Sequence, residues 1–148
     1  MKQILFALVL TFFISCSKDK EIDYAAQNEK EIIAYIAKNH LTAQRSDTGL
    51  YYVINDPGTG AQPTQTSNVK VAYKGYFTDG SVFDQNSDGL SFSLQEVIKG
   101  WTEGIAYFKE GGSGILLVPA HLGYGNNDYS TIPGGSVLIF EIKLISVN

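Results

Sequence analysis

Asp84 directly follows Phe83 at the end of an aromatic-rich run, YKGYFTDGSVFD (Tyr73–Asp84). A carboxylate there suits binding better than bond-making, because no base or nucleophile stands at a spacing that would pair with it. The other candidate chemistries fall away in turn. KEGGSG (Lys109–Gly114) is glycine-rich but runs into an apolar strand, so it offers no helix N-terminus to a phosphate. GGSV around Ser136 lacks the second glycine of a nucleophile elbow and has no histidine placed as its base. His121, in PAHLGYG, reads as a loop histidine. His40 is far from it, and with a single cysteine, Cys16, the chain has no ligand set for structural zinc. The acids are scattered rather than paired. A net charge of −4 gives no basic footprint for nucleic acid. No metal or cofactor is expected.

What remains is a set of aromatic and aliphatic side chains near turns: Tyr73, Phe83, Val97, Ile98, Trp101, Tyr124, Ile132 and Phe140. A plain hydrophobic core is the ordinary destination of such residues. Tyr124, however, lies in the polar, glycine-rich GYGNNDYSTIPGG, where a purely structural ring has less to do. An apolar concavity with a few placed polar groups is the alternative.

The elements that must position these residues are legible in outline. Apolar residues at three- and four-residue steps (Ile22, Ala25 or Ala26, Ile32, Ile33, Ile36) predict a helix from about Asp23 to His40, packed on the domain's back or on a second copy. From Gly49 the pattern becomes β-like. GLYYVIND is a strand closed by the turn DPGTG, and NVKVAYKGYF is a half-buried strand with Val69, Val71 and Tyr73 on one face. Asp79–Gly80 signals a two-residue hairpin turn. QEVIKGWTEGIAYF predicts a short helix with Ile98, Trp101 and Ile105 on one face. Its Gly100 and Gly104 each cost about 1 kcal/mol against alanine, tolerable where a helix lies close against another surface. GILLVPA and SVLIFEIKLISV complete the strands, the latter with Leu138, Phe140, Ile142 and Leu144 on one face. This inventory is an α+β domain.

The N-terminus is a different material. In MKQILFALVLTFFISC one lysine precedes an apolar run too short to span a bilayer. It is similar to a bacterial lipoprotein signal, with Cys16 the acylated residue; an ordinary secretory signal is the other reading. The expected organisation is a signal over 1–15, a polar tether over 16–22, the N-terminal helix and linker over 23–47, and the main domain over 48–148. Acylation would attach the protein to a membrane in the cell envelope, facing away from the cytoplasm.

From about Thr48 to Val147 the chain resembles the FKBP-type peptidyl-prolyl cis-trans isomerases. The motifs that carry the resemblance are TGLYYVI, VKVAYKGYFTDGSVFD, SFSLQEVIKGWTEGI, ILLVPAHLGYG and IPGGSVLIFEIKLISV, in family order. The resemblance implies a twisted antiparallel sheet wrapped around one short helix, with ligands between the two. It implies rotation of X–Pro bonds in proline-containing polypeptides, with macrolides as inhibitors. Trp101 then floors the pocket, Tyr73, Phe83, Val97, Ile98 and Phe140 wall it, Tyr124 brings a rim hydroxyl, and Ile132 belongs to a flap. Asp84 is the polar group, and the Ile98 N–H donates to a bound carbonyl. Leu90 stands where the family usually has phenylalanine, which implies a shallower wall. The segments from Leu90 to the helix and from Asn126 to Thr131 read short or divergent by a residue or two. Strand alternation would send Phe83 and Asp84 to opposite faces, so a bulge or strand end must re-aim one of them. Tyr73 or Tyr124 is the expected hydrogen-bond donor to Asp84. Two further readings stand beside the enzyme: a non-catalytic peptide-binding module, and an accessory lipoprotein, such as those of gliding motility, docked or dimerised through its N-terminal helix.

Overall fold

The computed structural model describes residues 22–148; the signal, Cys16 and nearly all of the tether lie outside them. Helix α1 (Tyr24–Lys38) precedes strands β1 (Gln44–Arg45), β2 (Tyr51–Asp56), β3 (Asn68–Tyr76) and β4 (Val82–Ser93). Helix α2 (Lys99–Gly104) continues into a single 3-10 turn, and strands β5 (Ser113–Val118) and β6 (Leu138–Val147) follow. The strands form one six-stranded sheet in the order β1-β2-β5-β6-β3-β4, every neighbouring pair antiparallel. Through β1 the sheet begins ahead of Thr48, inside the stretch expected to be linker.

Both faces of the sheet are covered, and strand alternation assigns residues to each. On the concave face Val69, Val71, Leu116, Val118, Leu138, Phe140, Ile142 and Leu144 pack with Trp101 and Ile105 of the central helix. The helix glycines permit the approach: a Cβ on Gly100 would sit 2.6 Å from Val118, and one on Gly104 2.7 Å from Leu116. On the other face Tyr51, Val53, Tyr76, Leu117 and Ile139 meet Ile32 of α1.

Helix α1 therefore packs on its own domain. Asp23 caps it, its side chain accepting from the Ala26 N–H at 3.2 Å. The buried stripe is not the expected run of isoleucines. Asn28 and Ile32 are buried, with Tyr35 and Ile36 half-buried beside them, whereas Ile22 and Ile33 are exposed. Ile33 follows Ile32 by about 100° of helical rotation, which turns it off the seam. Of the apolar residues expected to make the docking face, Ile22 and Ile33 are the large ones left uncovered.

The β3–β4 turn is longer than the two-residue turn expected. Gly80 N–H bonds to Phe77 O, and Phe77 N–H to Ser81 O, each at 2.9 Å, so the loop is Thr78-Asp79-Gly80 with Gly80 at φ +89. This is a type I turn closed by a left-handed glycine, the usual three-residue hairpin. Asp79 Oδ1 accepts from the Ser81 N–H at 2.9 Å, fixing the turn locally.

Candidate functional site

Between α2 and the concave face lies a cleft of about 440 Å³, lined by Tyr73, Phe83, Asp84, Phe92, Glu96, Val97, Ile98, Trp101, Tyr124, Tyr129 and Phe140. Trp101, only 4 % exposed, is its floor. The rings of Tyr73, Phe92 and Phe140 stand edge-on to the indole at centroid separations of 5.2, 5.3 and 5.4 Å. Phe83 stands edge-on to Phe140 at 5.5 Å and tilts against Phe77 at 5.0 Å. These edge-to-face contacts hold the rings apart and upright, so the cage stays open. The Trp101 Nε1–H is buried without a hydrogen-bond partner among the described residues. Such a group is uncommon and asks for an explanation; here it lies in the floor of an apolar cleft.

The bulge required to place Phe83 beside Asp84 is present. Gly75 pairs with Asp84 and Tyr76 with Val82, leaving Phe83 as the extra residue on β4. Gly75 is matched to it: a Cβ there would lie 2.7 Å from Phe83 and 3.0 Å from Phe140. The Tyr73 hydroxyl donates to Asp84 Oδ2 at 2.8 Å. Burial first, and the bond to Asp84 second, push the Tyr73 phenol from its ordinary value of 10.0 up to about 12. Desolvation, with lesser contributions from Tyr129 and Asp84, also raises Tyr124.

Ile98 is the N-cap of α2, and its carbonyl accepts from the Trp101 and Thr102 N–H groups at 2.9 and 3.1 Å. Its own N–H has no acceptor among the described residues. Val97 packs beside it against the core. On the opposite rim Tyr124 and Tyr129 stack at 4.5 Å with planes 8° apart. Tyr129 and Ile132 exchange N–H···O bonds of 2.9 Å in both directions, a small ladder that fixes the flap.

Two expected site residues need correction. Leu90 is not a wall: it is 43 % exposed on the edge strand, opposite Val71. Just before it, Ser87, Asp88 and Gly89 stand opposite Ala72 alone, so a residue count along β4 falls two positions short. Phe92 occupies the wall, and the alternation in SFS (Ser91–Ser93) was the available signal. Ile132 is buried in the core and supports the flap without lining the cleft. Tyr129 and Glu96 are additional lining residues; Tyr129 stands in the same polar segment, GYGNNDYSTIPGG, that singled out Tyr124, and that position was the available signal. Among the described residues no cluster of His, Cys, Asp and Glu could hold a metal. His121 Nε2 donates to Thr48 O at 2.7 Å and stays outside the cleft.

The model of the family described as FKBP-type peptidyl-prolyl cis-trans isomerase matches residues 59–145, more than half of the chain. The chain belongs to this family. It is 40 % identical over 129 residues to FkpA of Escherichia coli K12, an alignment covering 83 % of this chain and 47 % of that one. With FkpA of Aeromonas hydrophila it shares 35 % over 136 residues, 88 % of this chain and 51 % of the relative. The chain thus spans about half the length of the curated relatives it matches. The crystal structure of Escherichia coli FkpA superposes with a TM-score of 0.75 at 37 % identity, covering 84 % of this chain and 61 % of that one. A peptidyl-prolyl cis-trans isomerase from Pseudomonas syringae superposes at 0.76 with 29 % identity, covering 84 % and 93 %. Helix α1, the antiparallel sheet and the short α2 are the fold these structures share with the chain.

Proposed function

We propose that the cleft accelerates cis-trans rotation of X–Pro bonds in polypeptides outside the cytoplasm, with the domain held to a membrane through Cys16. The observation that carries the enzymatic part is the open cage of aromatic rings over Trp101. An X–Pro amide rotates over a barrier of about 18–20 kcal/mol because its C–N bond has partial double-bond character. Resonance puts charge on the carbonyl oxygen in the planar form, and water stabilises that charge. In the twisted form the charge is smaller. Moving the amide from water into an apolar cage therefore raises the planar state relative to the twisted one, a differential effect of the kind that speeds reaction. Each tenfold gain needs about 1.4 kcal/mol.

The residues divide the work without any covalent step. Trp101, Phe83, Phe92 and Phe140 enclose the proline ring. The free Ile98 N–H donates to a carbonyl of the bound chain and holds it in register. Tyr73 orients Asp84 through Oδ2, leaving the other carboxylate oxygen to accept an N–H from the chain. Tyr124 lines the same cleft. A non-catalytic peptide-binding role rests on Leu90 as a missing aromatic wall and on the divergent flap; Phe92 supplies the wall, which leaves the flap as its support.

Magnetisation-exchange NMR on a short proline peptide tests the activity. Cis and trans signals should exchange faster with the protein present, and an immunosuppressive macrolide should abolish the gain. A folded protein that leaves the exchange rate unchanged refutes the reading. The tether rests on the leader and its single cysteine. Cys16→Ser should move the expressed protein from the detergent phase to the aqueous phase in a cloud-point partition.

A further inference from the structure

Asn28 is the polar residue buried among the described residues, fully inside an otherwise apolar helix seam. A side-chain amide there is costly unless both its ends are satisfied, and both are. Its Nδ2 donates to Gly135 O at 2.9 Å, and its Oδ1 accepts from the Ala120 N–H at 2.8 Å. These two backbone groups, far apart from Asn28 in sequence, are the feet of the loop that carries Tyr124 and Tyr129 into the cleft. The feet are also cinched to each other: Gly125 N–H bonds to Ala120 O at 2.8 Å, and Gly135 N–H to Gly125 O at 2.9 Å. Gly135, at φ +76, has the ring of Tyr24 packed where a Cβ would stand. The same helix reaches the other rim, where Thr78 Oγ1 in the β3–β4 turn donates to Glu31 Oε1 at 2.7 Å.

We infer that Asn28 is a positioning residue for the cleft: by holding Ala120 and Gly135 together it sets the height and order of the Tyr124–Tyr129 rim, so that α1 tunes substrate affinity from the back of the sheet. The inference rests on the isomerase reading for its kinetic consequence, but not for its structural one. An amide of this length alone both donates to Gly135 and accepts from Ala120. Aspartate keeps the acceptor and loses the donor, and alanine loses both.

The test is made in the full chain with Asn28→Ala, Asn28→Asp and the control Ile32→Ala. Ile32 is buried one turn further along the same helix, in the cluster behind the sheet that reaches Val137 but makes no hydrogen bond to Ala120 or Gly135. Amide exchange is measured at Ile132 and Gly135, and KM and kcat on a proline peptide. Both Asn28 variants should lose about tenfold in exchange protection at Ile132 and Gly135, with Leu117 and Ile139 unchanged. KM should rise several-fold while kcat stays within about twofold, the split expected when binding geometry rather than chemistry is disturbed. Ile32→Ala should lower the denaturation midpoint yet leave KM and the loop amides alone. Unaltered protection at Ile132 and Gly135 in Asn28→Ala overturns the inference, as does an equal KM rise in Ile32→Ala. If the parent protein proves inactive, the exchange measurement alone decides the positioning role, and the two failures stay distinct.

Discussion

Replacing Trp101 by phenylalanine separates an apolar floor from a hydrogen-bonding one. The indole is buried against Tyr73, Phe92 and Phe140 at 5.2, 5.3 and 5.4 Å, and its Nε1–H has no partner among the described residues. Phenylalanine leaves a void of roughly 40 Å³, which costs ~1 kcal/mol at about 24 cal/mol per Å³. Against this, an unsatisfied buried donor costs about 1–3 kcal/mol, and Trp101→Phe removes it. With some edge-to-face attraction also lost, the terms nearly cancel. Urea denaturation of Trp101→Phe should give a stability within ~1 kcal/mol of the parent, whereas Trp101→Ala should lose about 3–5 kcal/mol. If the floor acts by excluding water, the phenylalanine protein keeps its isomerisation rate within tenfold, or about 1.4 kcal/mol of barrier. A loss beyond hundredfold in the folded variant would refute that reasoning and assign the indole N–H a direct bond to the reacting amide.

Asp84→Ala should lower turnover or change the preferred residue before proline, with a stability change under ~1 kcal/mol because the carboxylate is exposed; unchanged kcat/KM removes this acid from the site. For Tyr73 the folded phenol is raised from 10.0 to about 12, so the stability it contributes is full below pH 10 and is lost as pH rises through about 12. Absorbance titration of the parent minus Tyr73→Phe should isolate that phenol, and in Asp84→Asn it should fall yet stay above 10.0, since burial is the larger cause. Gly75→Ala drives a methyl to within 2.7 Å of Phe83 and should cost about 1–3 kcal/mol by overpacking, with activity falling as the ring is displaced; a stable, fully active variant would show that this wall is soft.

Much of the site was legible in the sequence because alternation is a strict rule. Val69, Val71 and Tyr73, and Leu138, Phe140, Ile142 and Leu144, fall on one face as their period of two requires. The Phe83 bulge followed from the same rule applied to two adjacent residues that both had to reach one cleft. Where local irregularity changes the count, the rule gives no warning. The extra residues at Ser87–Gly89 moved the wall from Leu90 to Phe92, and the left-handed Gly80 lengthened the turn by one residue. Helical period was similarly coarse on α1. Hydrophobicity favoured Ile33, but the seam accepted Asn28, because the backbone of a distant loop needed an amide there. Tertiary partners of that kind leave no mark in the local pattern.

Strand β6, the last of the sheet to be synthesised, lies in its interior between β5 and β3. Before Leu138–Val147 is available, β1, β2 and β5 on one flank and the β3–β4 hairpin on the other have no common neighbour. An emerging chain therefore carries two half-built ribbons with unpaired inner edges, and assembly waits on its most distant pairing. Topologies of this kind fold slowly, in milliseconds to seconds, and stay open to proteases meanwhile. Cutting away that final strand would not shorten the sheet; it would divide it into two ribbons, β1-β2-β5 and β3-β4, neither able to enclose Trp101 alone.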